Sequence, residues 1–87
     1  MTDEEILSKL RNIAQAELEL RPEQAERIQM ETAIVDGLQL DSLKQVILLT
    51  SVEETFQFEL TLEDRQSLQG LATVGDLVRF VRSRTAG

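Results

Sequence analysis

Apolar residues recur three and four positions apart in separate stretches of this chain, and that period limits what it can fold into more than any other feature. Ile6, Leu10, Ile13 and Ala14, with Leu7 on the flank, fall on one helical face. They predict a helix over about residues 3 to 18, capped by Thr2 or Asp3, with Glu4 and Glu5 suited to the positive end of its dipole. Leu43, Val46, Ile47, Leu49, Val52 and Phe56 form a second stripe, over about 42 to 56, wide enough for part of it to face solvent. Val74, Leu77, Val78 and Val81 form a last one, over about 73 to 84, with Thr73 as cap and Arg79, Arg82 and Arg84 toward the negative end.

The stretches between these stripes are less regular. From Glu19 to Leu40 the apolar residues Ile28, Met30, Ile34, Val35, Leu38 and Leu40 keep no helical period, Pro22 interrupts and Gly37 punctuates. A loop this long in a small domain is uncommon unless it is functional or packed down by its own side chains, and six apolar residues predict the second. Phe56, Phe58, Leu60 and Leu62 alternate with polar residues as a strand would, and Leu18-Leu20 and Leu38-Leu40 alternate too. Pattern alone therefore leaves a small α+β fold open. The preferred reading is an extended connector, then a short helix over about 61 to 69 closed by Gly70. The expected fold is all-α: one domain over residues 1–87, a small four-helix bundle with a long loop between helices one and two and a short third helix.

Composition removes several functions. With no His and no Cys among 87 residues, histidine general bases, thiolate nucleophiles, disulfides and the usual zinc ligand sets are absent. The acidic start MTDEEI does not look like a signal peptide, and the longest apolar run, Val46 to Leu49, is far too short to cross a bilayer. The expectation is a cytoplasmic protein with no membrane insertion, acting as a monomer. Net charge is −7, and it is uneven: residues 17 to 64 hold 12 acidic and 3 basic side chains, residues 65 to 87 hold 4 basic and 1 acidic. An acidic middle disfavours nucleic acid, whose affinity rests on Lys and Arg meeting phosphates. A basic protein partner suits it better, and a solvated surface that keeps the domain soluble accounts for it equally well.

One short segment breaks the pattern chemically. In GLQLDSLKQVILL, residues 37 to 49, the polar pair Asp41-Ser42 stands where the second helix begins. Asp and Ser are preferred helix starters, Asp41 accepting from the amide of Leu43 or Lys44. Calcium is a poor alternative, because an EF-hand loop begun at Asp36 would place Leu38 at its third ligand position. Serine hydrolase chemistry lacks a histidine base and a glycine-rich oxyanion signature beside Ser42. Ser42 is not a catalytic nucleophile on these grounds.

ETAIVDGLQLDSL at residues 31 to 43, VEETFQFEL at 52 to 60 and TVGDLVRFV at 73 to 81 follow in an order that resembles the acyl carrier proteins and the related carrier domains of polyketide and nonribosomal peptide synthesis. The resemblance runs over nearly the whole chain. It implies that Ser42 is the residue to which a phosphopantetheinyl transferase attaches 4′-phosphopantetheine from coenzyme A, with Asp41 capping the helix and helping to present the serine. Acyl groups would ride as thioesters on the thiol of that arm, and catalysis would belong to partner enzymes that load and process them. Fatty-acid, polyketide or related specialised biosynthesis is the implied setting.

The resemblance further implies that Leu43, Lys44, Ile47, Glu53 and Glu54 on the second helix meet those partners. Glu53 and Glu54 keep the acidic end of the family pattern, whereas Lys44 and Ile47 stand where bacterial fatty-acid carriers usually have acids, which points to a dedicated pathway. LDSL without a preceding Gly-Gly leans toward an acyl or polyketide load over an aminoacyl or peptidyl one. The segments from Ala16 to Thr32 and from Gln66 to Ala72 are slightly extended beside compact members. Val52, Leu60, Leu68 and Leu71 are candidates for an acyl-holding cleft, with ordinary core as the alternative. An unmodified helical adaptor binding protein through its second helix is the rival from another class.

Overall fold

Residues 1–85 are described by the structure, a computed structural model. Six helices follow one another: α1 (Asp3–Ala16), α2 (Pro22–Glu26), α3 (Ile34–Gly37), α4 (Ser42–Phe56), α5 (Leu62–Gln69) and α6 (Val74–Thr85). Among the described residues there is no strand, only an isolated bridge between Ala33 and Thr73. The fold is all-helical, with the four expected helices close to their expected bounds. The polar tail anticipated after Arg84 lies, beyond Thr85, outside the described residues.

Local chemistry starts and stops each long helix. α1 opens with a capping box in which Thr2 Oγ1 accepts the Glu5 N–H at 3.2 Å while Glu5 Oε1 accepts the Thr2 N–H at 3.3 Å. It ends at Ala16, two residues short of expectation. The reason is the closing of the last turn: Glu17 and Leu18 both donate to the Ile13 carbonyl, at 2.7 and 3.2 Å, the second a six-residue closing bond, and Glu19 turns left-handed at φ 62°. The reversal buries Leu18 and Leu20. α5 and α6 open with the same reciprocal bonds, Thr61 with Asp64 and Thr73 with Asp76. Gly70 follows α5 as expected, but at φ −91° its backbone makes no demand for glycine.

The long loop is structured. Pro22 fits the first position of α2, where no N–H is needed, and the Arg21 N–H is taken by Gln24 Oε1 at 3.0 Å. Arg11 of α1 donates from Nε and Nη2 to the Ile28 carbonyl at 2.9 and 2.7 Å. The carbonyls of Thr32 and Met30 accept the N–H groups of Val74 and Gly75, at 2.8 and 2.7 Å. Those two donors belong to the first turn of α6, where a helix has no acceptors of its own. Loop and last helix therefore satisfy one another, and Ile34 adds a bond from its N–H to the Ala72 carbonyl at 3.0 Å.

Ile6, Leu10 and Ala14 of α1, Leu48, Val52 and Phe56 of α4, and Val74, Leu77, Val78 and Val81 of α6 share one core with Leu18, Ile28 and Leu38 from the loop. The helix α4 stripe needs correction. Leu48, absent from the expected stripe, is buried in line with Val52 and Phe56 at spacings of four, whereas Leu43 and Val46 face solvent. α4 is apolar on more sides than its neighbours can cover, so packing of α1 against it selects the buried side.

The uneven charge is consumed inside the fold. Arg65 pairs with Glu53, Arg79 with Asp76, Arg82 with Asp3 and Arg84 with Asp64. Arg84 also lies over the Phe80 ring, 5.1 Å from its centroid, and Phe80 meets Phe58 at 6.4 Å. Three of these arginines thus hold another part of the chain, and Arg79 braces the first turn of its own helix.

Candidate functional site

α4 begins at Ser42, and Asp41 caps it: Asp41 Oδ1 accepts the Lys44 N–H at 2.8 Å, and the Asp41 carbonyl accepts from Gln45 at 2.9 Å. Ser42 is exposed. The capping work done by Asp41 leaves the Ser42 hydroxyl outside the helix's own bonding. The N–H groups of Ser42 and Leu43 have no backbone acceptor among the described residues, as expected for the first positions of a helix.

The approach to the serine is held from below. α3 ends in a turn where Gln39 donates to the Asp36 carbonyl at 3.3 Å and Leu40 to the Val35 carbonyl at 2.9 Å. Gln39 takes φ 53°, reversing the chain so that Leu38 enters the core and Leu40 packs against it on either side. Two apolar anchors in the turn after α3 thus fix where α4 starts, which makes the serine an exposed group on an anchored mount.

Around Ser42 the anticipated recognition residues separate into three groups. Leu43 is 69% exposed, Val46, one turn on, is 57% exposed, and Glu54 is exposed. Lys44 and Ile47 are half-buried, and Ile47 packs against the core. Glu53 is committed elsewhere: its Oε2 accepts the Leu60 N–H at 2.8 Å and its Oε1 accepts from Arg65 at 3.1 Å. A carboxylate tied to a connector and to α5 is a fold-holding group, and that use could not be read from the pair Glu53-Glu54 alone.

An apolar cleft of about 50 Å³ opens beside the serine face of α4, lined by Ile34, Val35, Leu40, Leu48, Leu49, Leu68, Leu71 and Leu77 with Gln45 and Gln69. Of the four residues named for such a cleft from sequence, Leu68 and Leu71 line it. Val52 is wholly buried in the core, and Leu60, in the connector between α4 and α5, is buried away from the cleft lining. The missed lining came from α3 and from Leu48 and Leu49. Leu48 had a signal, its spacing of four from Val52 and Phe56; Ile34 and Val35 had none, because their positions depend on the loop folding back.

The group these features fit is an attached phosphodiester. A primary hydroxyl stands at an exposed helix start, next to unpaired N–H groups at the positive end of a 15-residue helix, and loading it displaces no core side chain.

Residues 8–81 match the family described as phosphopantetheine attachment site. Among curated relatives, an acyl carrier protein of Coprothermobacter proteolyticus is 39% identical over 83 residues, covering 95% of this chain and 94% of the relative. One from Prochlorococcus marinus is 32% identical over 84 residues, 97% of this chain and 98% of the relative, and one from Caulobacter vibrioides is 33% identical over 82 residues, 94% and 97%. The chain belongs to the phosphopantetheine attachment family, whose prosthetic group is a covalently attached 4′-phosphopantetheine.

Proposed function

We propose that this protein is an acyl carrier and that Ser42 bears the 4′-phosphopantetheine arm through a phosphodiester. The observation that carries the assignment is the division of labour at the head of α4, where Asp41 caps the helix and Ser42 stays exposed. When bound, the arm supplies the thiol that a chain without cysteine lacks, so acyl groups are held as thioesters. Asp41 and the anchors Leu38 and Leu40 hold the serine at a fixed place and angle, and the first-turn N–H groups favour its phosphodiester. The relatives' printed names, all acyl carrier protein, support the cargo class.

A chain with no His and no Cys lacks the commonest groups for chemistry on a thioester cargo, and the reading is a non-catalytic carrier. A phosphopantetheinyl transferase brings the base and metal for attachment, and acyl-loading and acyl-processing enzymes act on the cargo. Among the described residues no helix is long and apolar enough to cross a membrane.

The test is direct. Incubation with coenzyme A and a broad-specificity transferase is expected to add one arm, seen in the intact mass, and Ser42→Ala is expected to add none. An unchanged wild-type mass, or the same gain on Ser42→Ala, rejects the assignment.

A further inference from the structure

A second concavity, sharing no residue with the cleft beside Ser42, is a groove of about 310 Å³ lined by both α1 and α4. Its deepest polar group is Ser51. The buried residues of α4 are Leu48, Ser51, Val52 and Phe56, and among them Ser51 alone is polar, at 9% exposure. Helical hydroxyls commonly bond back to a carbonyl one turn earlier. Ser83 and Thr85 do so on α6, at 2.7 and 2.9 Å, whereas Ser51 makes no such bond among the described residues. No fully enclosed polar side-chain atom among those residues lacks a partner, so the Ser51 oxygen is not sealed in and opens on the groove it lines. A hydroxyl this deeply set gains from a bonding partner, and the groove is where one can enter.

The walls say what kind of partner. On α1 they are one helical stripe, Lys9, Asn12, Ile13 and Ala16, continued by Glu17 at the cap, at successive steps of three, one, three and one. Lys9 and Glu17 are eight residues apart, about 12 Å along the axis, too far for a helical ion pair. Neither takes part in the four ion pairs among the described residues, nor does Glu54 on the α4 wall. The groove thus holds a free cation and a free acid two turns apart on α1. Between and across from them stand neutral hydrogen-bonding groups, Asn12, Ser51 and Thr55, over the buried side chain of Ile13.

We propose that this groove binds a short peptide with free ends, its carboxylate toward Lys9, its ammonium toward Glu17 and its amides toward Asn12, Ser51 and Thr55. The length agrees. Three extended residues span about 10–11 Å, close to the separation of the two charges. The volume stands at the lower end of small-molecule sites, which suits two or three small residues. The site is separate from the Ser42 attachment and does not depend on the carrier reading.

The experiment titrates triglycine into the isotope-labelled full chain and follows the amide resonances by NMR. Saturable shifts are expected at Asn12, Ser51 and Thr55, complete by about 10 mM. Ser51→Ala is expected to weaken binding about fivefold to tenfold, and Lys9→Gln and Glu17→Gln about twofold to fivefold each, with circular dichroism melts confirming that the variants fold. Triglycine acetylated at one end and amidated at the other is expected to bind the wild type about tenfold more weakly, a comparison that needs no variant. No saturable shift, as when water alone satisfies Ser51, overturns the proposal. So do shifts centred on Leu68 and Leu71 of the cleft, equal binding of the blocked peptide, or unchanged affinity in Ser51→Ala.

Discussion

At Gly75 the absence of a side chain lets two segments meet. Its N–H reaches the Met30 carbonyl at 2.7 Å, and a Cβ built there would stand 2.9 Å from the same oxygen. That neighbour is backbone, pinned by its own bond, so it cannot rotate away as a side chain would. Gly75→Ala is expected to cost about 1–3 kcal/mol through this overlap, read as a lower urea midpoint with unchanged slope. The same scale separates Asp41 from Ser42, one carboxylate turned back to the helix and one hydroxyl left outside. It also separates Glu53 from Glu54: adjacent, chemically identical, and divided because the helix turns one toward Leu60 and Arg65 and the other to solvent.

For the elements, the common device is the reciprocal cap. Glu5, Asp64 and Asp76 each stand three residues after a capping threonine, at the starts of α1, α5 and α6. The Thr2 N–H holds the Glu5 carboxyl below its ordinary 4.5, and the Thr61 N–H, aided by Arg84, holds Asp64 below 3.8. The Arg79 guanidinium and the Thr73 and Ala72 N–H groups do the same for Asp76. A carboxyl with a lowered folded-state value binds fewer protons folded than unfolded. Its stabilising effect is therefore complete above the unfolded value and disappears as pH falls through the folded one. Melting temperature is expected to be flat on this account at neutral pH and to decline below the ordinary carboxylate range. Replacing all three by their amides should lower the neutral-pH melting temperature and flatten the acid limb; a triple variant that keeps the wild-type acid limb counts against these caps as its source.

Over the whole molecule, the segment that joins α1 to α4 behaves as core. Ile28 and Leu38 are as completely buried as Ile6 of α1 or Val78 of α6, and Arg11 closes its fork on the Ile28 carbonyl. Ile28→Ala is expected to cost about 2–5 kcal/mol, the price of a fully buried aliphatic in any helix, although it lies outside one. Urea unfolding followed by circular dichroism checks this, and a loss under about 0.5 kcal/mol, typical of surface positions, would show the segment to be peripheral. For an 87-residue chain such a loss is a large part of the total stability. The arginine pairs act at the same scale, linking α6 to α1 and α5, and α5 to α4.

The sequence by itself determined the places of the three long helices, the short helix before the last one and the Asp41-Ser42 start of α4, while its alternating segments left the all-helical class to be decided against a small α+β fold. Each rests on spacing and capping, which act over a few residues and are written in adjacent letters. It was silent on α3 as a wall of the cleft and on Glu53 as a clasp, and it offered Leu48 no more strongly than Leu43 and Val46 as the buried residue of α4. Those depend on which neighbour arrives from far along the chain. A helix apolar on several sides offers more than one face, and only the packing of α1 against α4 and the folding back of residues 28 to 40 decided which was covered and which was left open beside Ser42.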